Sequence, residues 1–257
     1  IVGIKNDYHV AQAFNNAFED KVTCYSVDGG ITWLNVPDIE ENEYQYCAQI
    51  RGYFTGDASY AYEFEGPAEE EEETAQAVEA SNEGEEGEEE AIAEDEEGEG
   101  EGAENNKKNA NRVRVLESTR LAYVIASIDQ DTAVVPRGSY VLQPEGTVVP
   151  NQTFQGLSDF AAGKLESFVH LRTPVRLPLK SALERDALDK TLDFCDTLDE
   201  DVPNKCWSLQ YNNVNQLVVG KSLLWPGYVF YTMPNTPTFG AFYIGSGCKN
   251  YDLCFMT

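Results

Sequence analysis

Basic residues are scarce in this chain. It has 18 Lys and Arg against 45 Asp and Glu in 257 residues, and a formal net charge of −27. Binding a nucleic-acid backbone requires clustered cations that neutralise phosphates and release counterions. The cations here are scattered, and the nearest thing to a cluster is Lys107, Lys108, Arg112 and Arg114. The composition therefore excludes nucleic acid as a partner, and attraction to an anionic membrane surface fails for the same reason. No stretch approaches the roughly 18 consecutive apolar residues of a membrane span, so no membrane partner is expected. No secretory leader is expected from the opening residues, which Lys5, Asp7 and His9 interrupt. The sequence opens on Ile1 rather than Met, so further residues are expected ahead of it.

Metal and disulfide chemistry are equally poorly supplied. There are 2 His and 6 Cys, at positions 24, 47, 195, 206, 248 and 254, and no Cys-x-x-Cys. A zinc site needs ligand pairs at short spacing, and Cys248 and Cys254 are too far apart to form one. A chain of this length does not need a disulfide framework either, so all six are read as reduced thiols of a cytosolic protein. Asn151-Gln152-Thr153 is a glycosylation sequon by pattern only. No nucleophile accompanies the Asp7–His9 pair. Asp129-Gln130-Asp131 is too short a pattern to imply a metal. Glu-Gly repeats at 98–102 lack the flanks and charge of a phosphate cradle. No catalytic residue, cofactor-binding residue or metal ligand is assigned, and no cofactor is expected.

The acidity itself is local. Residues 65–104 hold 20 acidic side chains and no Lys or Arg, so the remainder carries 25 acidic and 18 basic residues, a net of −7. Between 65 and 111, Val78 and Ile92 are the only large apolar residues. Such a segment cannot bury enough surface to offset its ordering entropy. It is expected to be a disordered acidic insertion, 65–111, in one discontinuous domain formed by 1–64 and 112–257. Loop-closure entropy grows slowly with length, so the insertion is tolerable.

The rest reads as an α+β fold, an antiparallel-sheet-rich single domain with a few helices. Strand-like runs begin at Ile1 and continue through Val10. The stretches 21–27 and 30–34 flank Asp28-Gly29, a hairpin signal. The apolar, aromatic run from Tyr44 to Phe54 falls in this β-rich part, and Tyr60, Tyr62 and Phe64 alternate. Val113 and Val115 mark another strand end. Leu121, Val124, Ile125 and Ile128 recur at helical spacing. Thr132–Val135 is strand-like and stops at Pro136. Ser158 is placed as the cap of a helix with Leu165, Phe168 and Val169 inward and His170 at its end. Ser181 to Glu184 matches a capping box. A hairpin around Asn212-Asn213 and strands at 228–232 and 239–244 complete the pattern. Runs of strands without βαβ alternation argue for an antiparallel sheet.

Several stretches together resemble the radial spoke head family. The most specific is Lys221-Ser222-Leu223-Leu224-Trp225-Pro226-Gly227, followed by Phe239-Gly240, Tyr243-Ile244-Gly245 and Gly247. Residues 1–11, Gly52-Tyr53-Phe54-Thr55-Gly56-Asp57, Glu117-Ser118-Thr119-Arg120-Leu121 and Val135-Pro136-Arg137-Gly138 extend it. Residues 153–158, 192–198 and 250–253 look like a short member of the family rather than its longer relatives, proteins 4 and 6. The resemblance covers nearly the whole chain except 65–111.

The resemblance implies a non-enzymatic structural subunit of the spoke head in the axoneme of motile cilia and flagella. There it would support head assembly and pass signals between the central pair and the dynein arms. The implied partners are spoke head proteins 4, 6, 1 and 10, neck protein 3 nearby, and a transient contact with central pair projections. Trp225-Pro226-Gly227 is read as a rigid turn packed into the core, with Trp225 and Tyr228 as partner-contact candidates. The acidic tract keeps an alternative open, an acidic chaperone or adaptor that binds basic proteins.

Overall fold

The computed structural model describes residues 2–4, 8–14, 21–66 and 112–255. The expected insertion lies outside the described residues from 67 to 111. Backbone contacts divide the chain into a unit of 1–61 with 116–257 and a second unit of 62–115. The architecture is mixed, with few helices and several antiparallel sheets.

The main sheet lies in the larger unit. Its strands are β1 (Val2–Ile4), β2 (Tyr8–Phe14), β3 (Lys21–Ser26), β4 (Leu34–Asn35), β11 (Trp207–Asn212), β12 (Leu217–Ser222), β13 (Tyr228–Thr232) and β14 (Phe239–Gly245). They form eight strands in the order β11-β12-β13-β14-β1-β2-β3-β4. Every pairing is antiparallel except β14 with β1, which joins the two ends of the chain in parallel. The smaller pairs are β5 (Ala61–Glu65) with β6 (Arg112–Leu116), β7 (Val134–Pro136) with β10 (Phe168–His170), and β8 (Tyr140–Leu142) with β9 (Val148–Pro150). Within the second unit the ribbon β5–β6 holds the two ends of the insertion side by side, and Glu63 faces Arg112 and Arg114 at 3.4 and 3.5 Å.

Helix α2 (Glu117–Asp131) packs across the sheet. Its buried side chains Leu121, Val124, Ile125 and Ile128 follow the 3.6-residue repeat. They share one core with Tyr8, Val10, Val218, Trp225, Tyr228, Phe230 and Tyr243. Each large aliphatic side chain buried there contributes roughly 2 kcal/mol. The helix start uses no side-chain cap. Its first free N–H groups donate instead to backbone carbonyls, Glu117 N–H to Tyr60 (2.8 Å) and Ser118 N–H to Ala58 (3.2 Å). A smaller core gathers Val135, Val148, Val169, Leu171, Phe194 and Cys195.

Most expected elements are present, with four differences. The run from Ile1 to Val10 is two strands that pair antiparallel, Val2 opposite Val10. The run from Tyr44 to Phe54 is not a strand: 44–49 belongs to α1 (Glu41–Gln49) and 50–54 is irregular, because the Glu43 carboxylate accepts the Glu40 N–H and starts a turn. The Asp28-Gly29 hairpin has a longer loop than expected. Asp28 accepts from the Ile31 and Thr32 N–H groups, so the loop coils and only two residues remain for β4. Those bonds, first from the Thr32 and Ser26 hydroxyls, hold its carboxyl well below the usual range.

The fourth difference is at Ser158. It caps α3 (Asp159–Ala162), as its hydroxyl accepts the Ala161 N–H. The helix stops there, and Phe168, Val169 and His170 form strand β10 against β7. The capping box at Ser181 opens α4 (Ala182–Asp186) as expected.

The turn Trp225-Pro226-Gly227 is packed into the core through Trp225, while Pro226 is exposed. Gly227 has φ +107°, and a Cβ there would lie 2.1 Å from the Ile244 carbonyl oxygen. A Gly227→Ala protein is expected to lose at least ~2 kcal/mol, since backbone strain and a clash with a sheet carbonyl combine. Urea unfolding monitored by tryptophan fluorescence would measure it.

Candidate functional site

The larger unit spends its buried polar groups on tying loops together. Glu117 is fully buried. Its carboxylate accepts the Tyr8 hydroxyl (2.9 Å), the Thr55 N–H (2.9 Å), the Thr55 hydroxyl (2.6 Å) and the Gly56 N–H (2.9 Å). Burial raises its pKa, but the Thr55, Tyr8 and Gly56 donors outweigh that and lower it below the usual value. One turn on, Arg120 donates to the carbonyls of Gly52 and Tyr53 and lies 4.4 Å from the Phe54 ring centre. Residues 52–57 are thus fastened to the first two turns of α2.

Asp196 repeats the device on the other core. It is buried and accepts from the Arg172 guanidinium (3.1 Å) and from the N–H groups of Val175 (2.8 Å), Arg176 (3.1 Å) and Leu177 (3.0 Å). Burial again opposes and the backbone donors prevail, so its carboxyl also sits below the ordinary range. Asp131 accepts from the Trp225 indole (2.8 Å) and the Lys249 ammonium (2.6 Å).

His170 is not at a helix end. It is buried in β10, where Nδ1 meets the Thr132 carbonyl at 2.6 Å and Nε2 meets Asp201 at 2.8 Å. A carbonyl oxygen only accepts, so Nδ1 carries a proton. The Trp207 indole N–H donates to the same Asp201 oxygen at 2.7 Å. The His–Asp pair is therefore a clamp between β10, the segment before β11, and β11 itself.

Cys24, Cys47, Cys195, Cys206 and Cys248 are free. Burial pushes Cys47 up to about 11 and Cys195 and Cys206 up to about 12, away from nucleophilic use. Among the described residues no group of three or more His, Cys, Asp or Glu is placed to hold a metal, and no helix is long and apolar enough to cross a membrane. His9 is exposed on β2, and Asp7 lies outside the described residues. A groove of about 570 Å³ is lined by Leu142, Leu177, Ala182, Leu188 and Phe194 together with charged side chains.

The two partner-contact candidates are interior residues. Trp225 is 2% and Tyr228 5% exposed. Trp225 is held by Asp131 and by Ser222 Oγ, which accepts its backbone N–H at 3.1 Å. Tyr228 accepts the Val134 N–H at 3.0 Å and meets Trp207 edge-on at 6.0 Å. Sequence reading missed Glu117, Asp196 and Asp201. Glu117 is met by Tyr8, 109 residues away, and Asp201 joins His170, 31 residues away, to Trp207, so no local spacing marks the set.

What the fold and these anchors define is a mixed α+β domain whose buried carboxylates fasten loops and strands together. Comparison with known proteins names it more closely. No family model matches. Proteins named radial spoke head protein 9 homolog are similar over 100% of this chain and 82% of their own length: 37% identical in Homo sapiens, 37% in Bos taurus and 35% in Danio rerio. The chain belongs to the radial spoke head protein 9 family, which places it in the axoneme of cilia and flagella.

Replacing Glu117 by Gln would leave buried N–H donors facing an amide and cost about 3 kcal/mol. The wild-type carboxyl is depressed by folding. Its contribution is therefore present above the ordinary value of 4.5 and lost as pH falls below it. A Glu117→Gln protein should lose less stability between pH 5 and pH 3 than wild type, measured by thermal unfolding across that range.

Proposed function

We propose that this protein is a non-enzymatic structural subunit of the radial spoke head in motile cilia, supporting head assembly and the passage of mechanical signals from the central pair to the dynein arms. The observation that carries this reading is similarity over the entire chain to radial spoke head protein 9 homologs. The anchored interior supports it, because His170, Glu117 and Asp196 are committed to loops. In this reading its partners are spoke head proteins 4, 6, 1 and 10, with neck protein 3 nearby and a transient contact with central pair projections. Trp225 and Tyr228, being interior, hold the strand and turn behind the partner surface rather than touching the partner.

The acidic stretch 65–104 modifies that surface. Its 20 carboxylates oppose adhesion at close range, since screening limits repulsion to about 8 Å at cellular salt. A spoke head must touch and release in every beat, and such a cushion favours release.

Two measurements test these points. The tagged chain, returned to ciliated cells that lack it, should co-sediment stoichiometrically with spoke subunits in axonemal extracts. Recovery only in the soluble fraction, on basic proteins and released by salt, would favour the adaptor alternative. Removing 65–104 should change beat frequency or waveform while heads still assemble, and unchanged motility with normal heads would overturn the cushion.

A further inference from the structure

The main sheet is charged differently from the rest of the chain. None of the 45 acidic residues lies in any of its eight strands. Its basic residues are His9, Lys21 and Lys221. One face packs on α2 through Val218, Tyr228, Phe230 and Tyr243. The register places a second set on the opposite face. Tyr231 stands beside Val219 and Gly240, and Val229 beside Lys221 and Phe242. Val219, Val229 and Tyr231 belong to neither core. The Tyr231 ring covers Gly240, where a Cβ would come within 2.9 Å of it. Beside this platform Phe242 is 40% and Ile244 70% exposed, and Lys221 is also exposed.

We propose that this outer face, centred on Val229, Tyr231, Phe242 and Ile244, docks a different protein through a flat apolar surface carrying a carboxylate opposite Lys221. The proposal rests on the reading of the chain as an assembly subunit. Contiguous apolar side chains rimmed by polar ones mark interaction surfaces. Keeping carboxylates off this sheet removes the cost of burying unpaired charge on contact. The same feature selects the occupant. A second copy would present the same face, with no carboxylate to meet Lys221, and would bring together two chains of −27 each. A different subunit with its own acidic group satisfies both the apolar area and the lysine.

The experiment places p-benzoylphenylalanine at position 244 of the full chain and irradiates intact axonemes. A cross-link to another spoke polypeptide is expected. A cross-link to a second copy, a link to residues 62–115 of the same chain, or none would overturn the proposal. In parallel, Ile244→Glu and Lys221→Glu alter exposed side chains and should leave the unfolding midpoint unchanged. Each should lower the fraction that co-sediments with spoke particles at least tenfold, whereas Leu183→Glu, beside the groove, should not. Normal incorporation of both variants overturns the docking face alone. Failure of the wild-type chain to co-sediment would instead overturn the subunit reading.

Discussion

A fully buried carboxylate, that of Glu117, is the constraint on which the larger unit depends. Taking such a group out of water costs several kcal/mol unless nearly every lone pair is met. Here the donors come from β2 and from the 52–57 loop, both remote in sequence, and they converge on the first residue of α2. That position is favourable in itself, because the helix dipole stabilises an anion there. Tyr8 shows the other side of the contact. Burial and the bond to Glu117 push its hydroxyl far above the ordinary range, so it remains a donor. The loop, strand β2 and the helix start are thus specified together.

The recurrence of this device explains how so many short elements hold together. The turn segment after Arg172 has little regular structure, and its consecutive N–H groups would be left without acceptors if Asp196 did not collect them. Asp131 ties the Trp225 turn to the far end of α2, and Asp201 ties β10 to β11. Acidic residues therefore play opposite parts in one sequence. Singly and inside, they are paired with directed donors and fix geometry. Massed between 65 and 104, they have no cations among them and only repel.

The elements whose identity depends on neighbours in sequence were legible. The 121–128 apolar period, the Ser181–Glu184 capping box and the Asn212-Asn213 hairpin all match their structures. His170 shows where that reasoning stops. Phe168 and Val169 fit a helix face by spacing, yet both edges of β10 are used, by β7 and by a bridge to Thr197. Pairing with segments about 30 residues away on either side decided the outcome, and local period carries no record of it. The 44–49 stretch failed for a simpler reason. Aromatic content favours a strand there, whereas the Glu40–Glu43 turn starts a helix. Glu117, Asp196 and Asp201 were illegible as sites because an acid beside an apolar run is ordinary until its distant donors are known.

The residues that carry the family resemblance largely coincide with these anchors. Gly52 to Asp57 meets Glu117 and Arg120; Trp225 meets Asp131; Gly227 passes so close to Ile244 that no side chain fits. Such residues identify a fold because each answers a steric or hydrogen-bonding demand that few replacements meet. That same demand consumes their polar groups and buries their surface, so they are poorly placed to meet a partner. A structural subunit must meet its neighbours with what the fold leaves over. On this chain the outer side of the sheet is such a surface, directly behind the buried residues of β13. There Val229 and Tyr231 alternate with the buried Tyr228 and Phe230, so each anchoring residue on β13 fixes the direction of its outward neighbour. The interior carboxylates thereby set the geometry of a face they never reach.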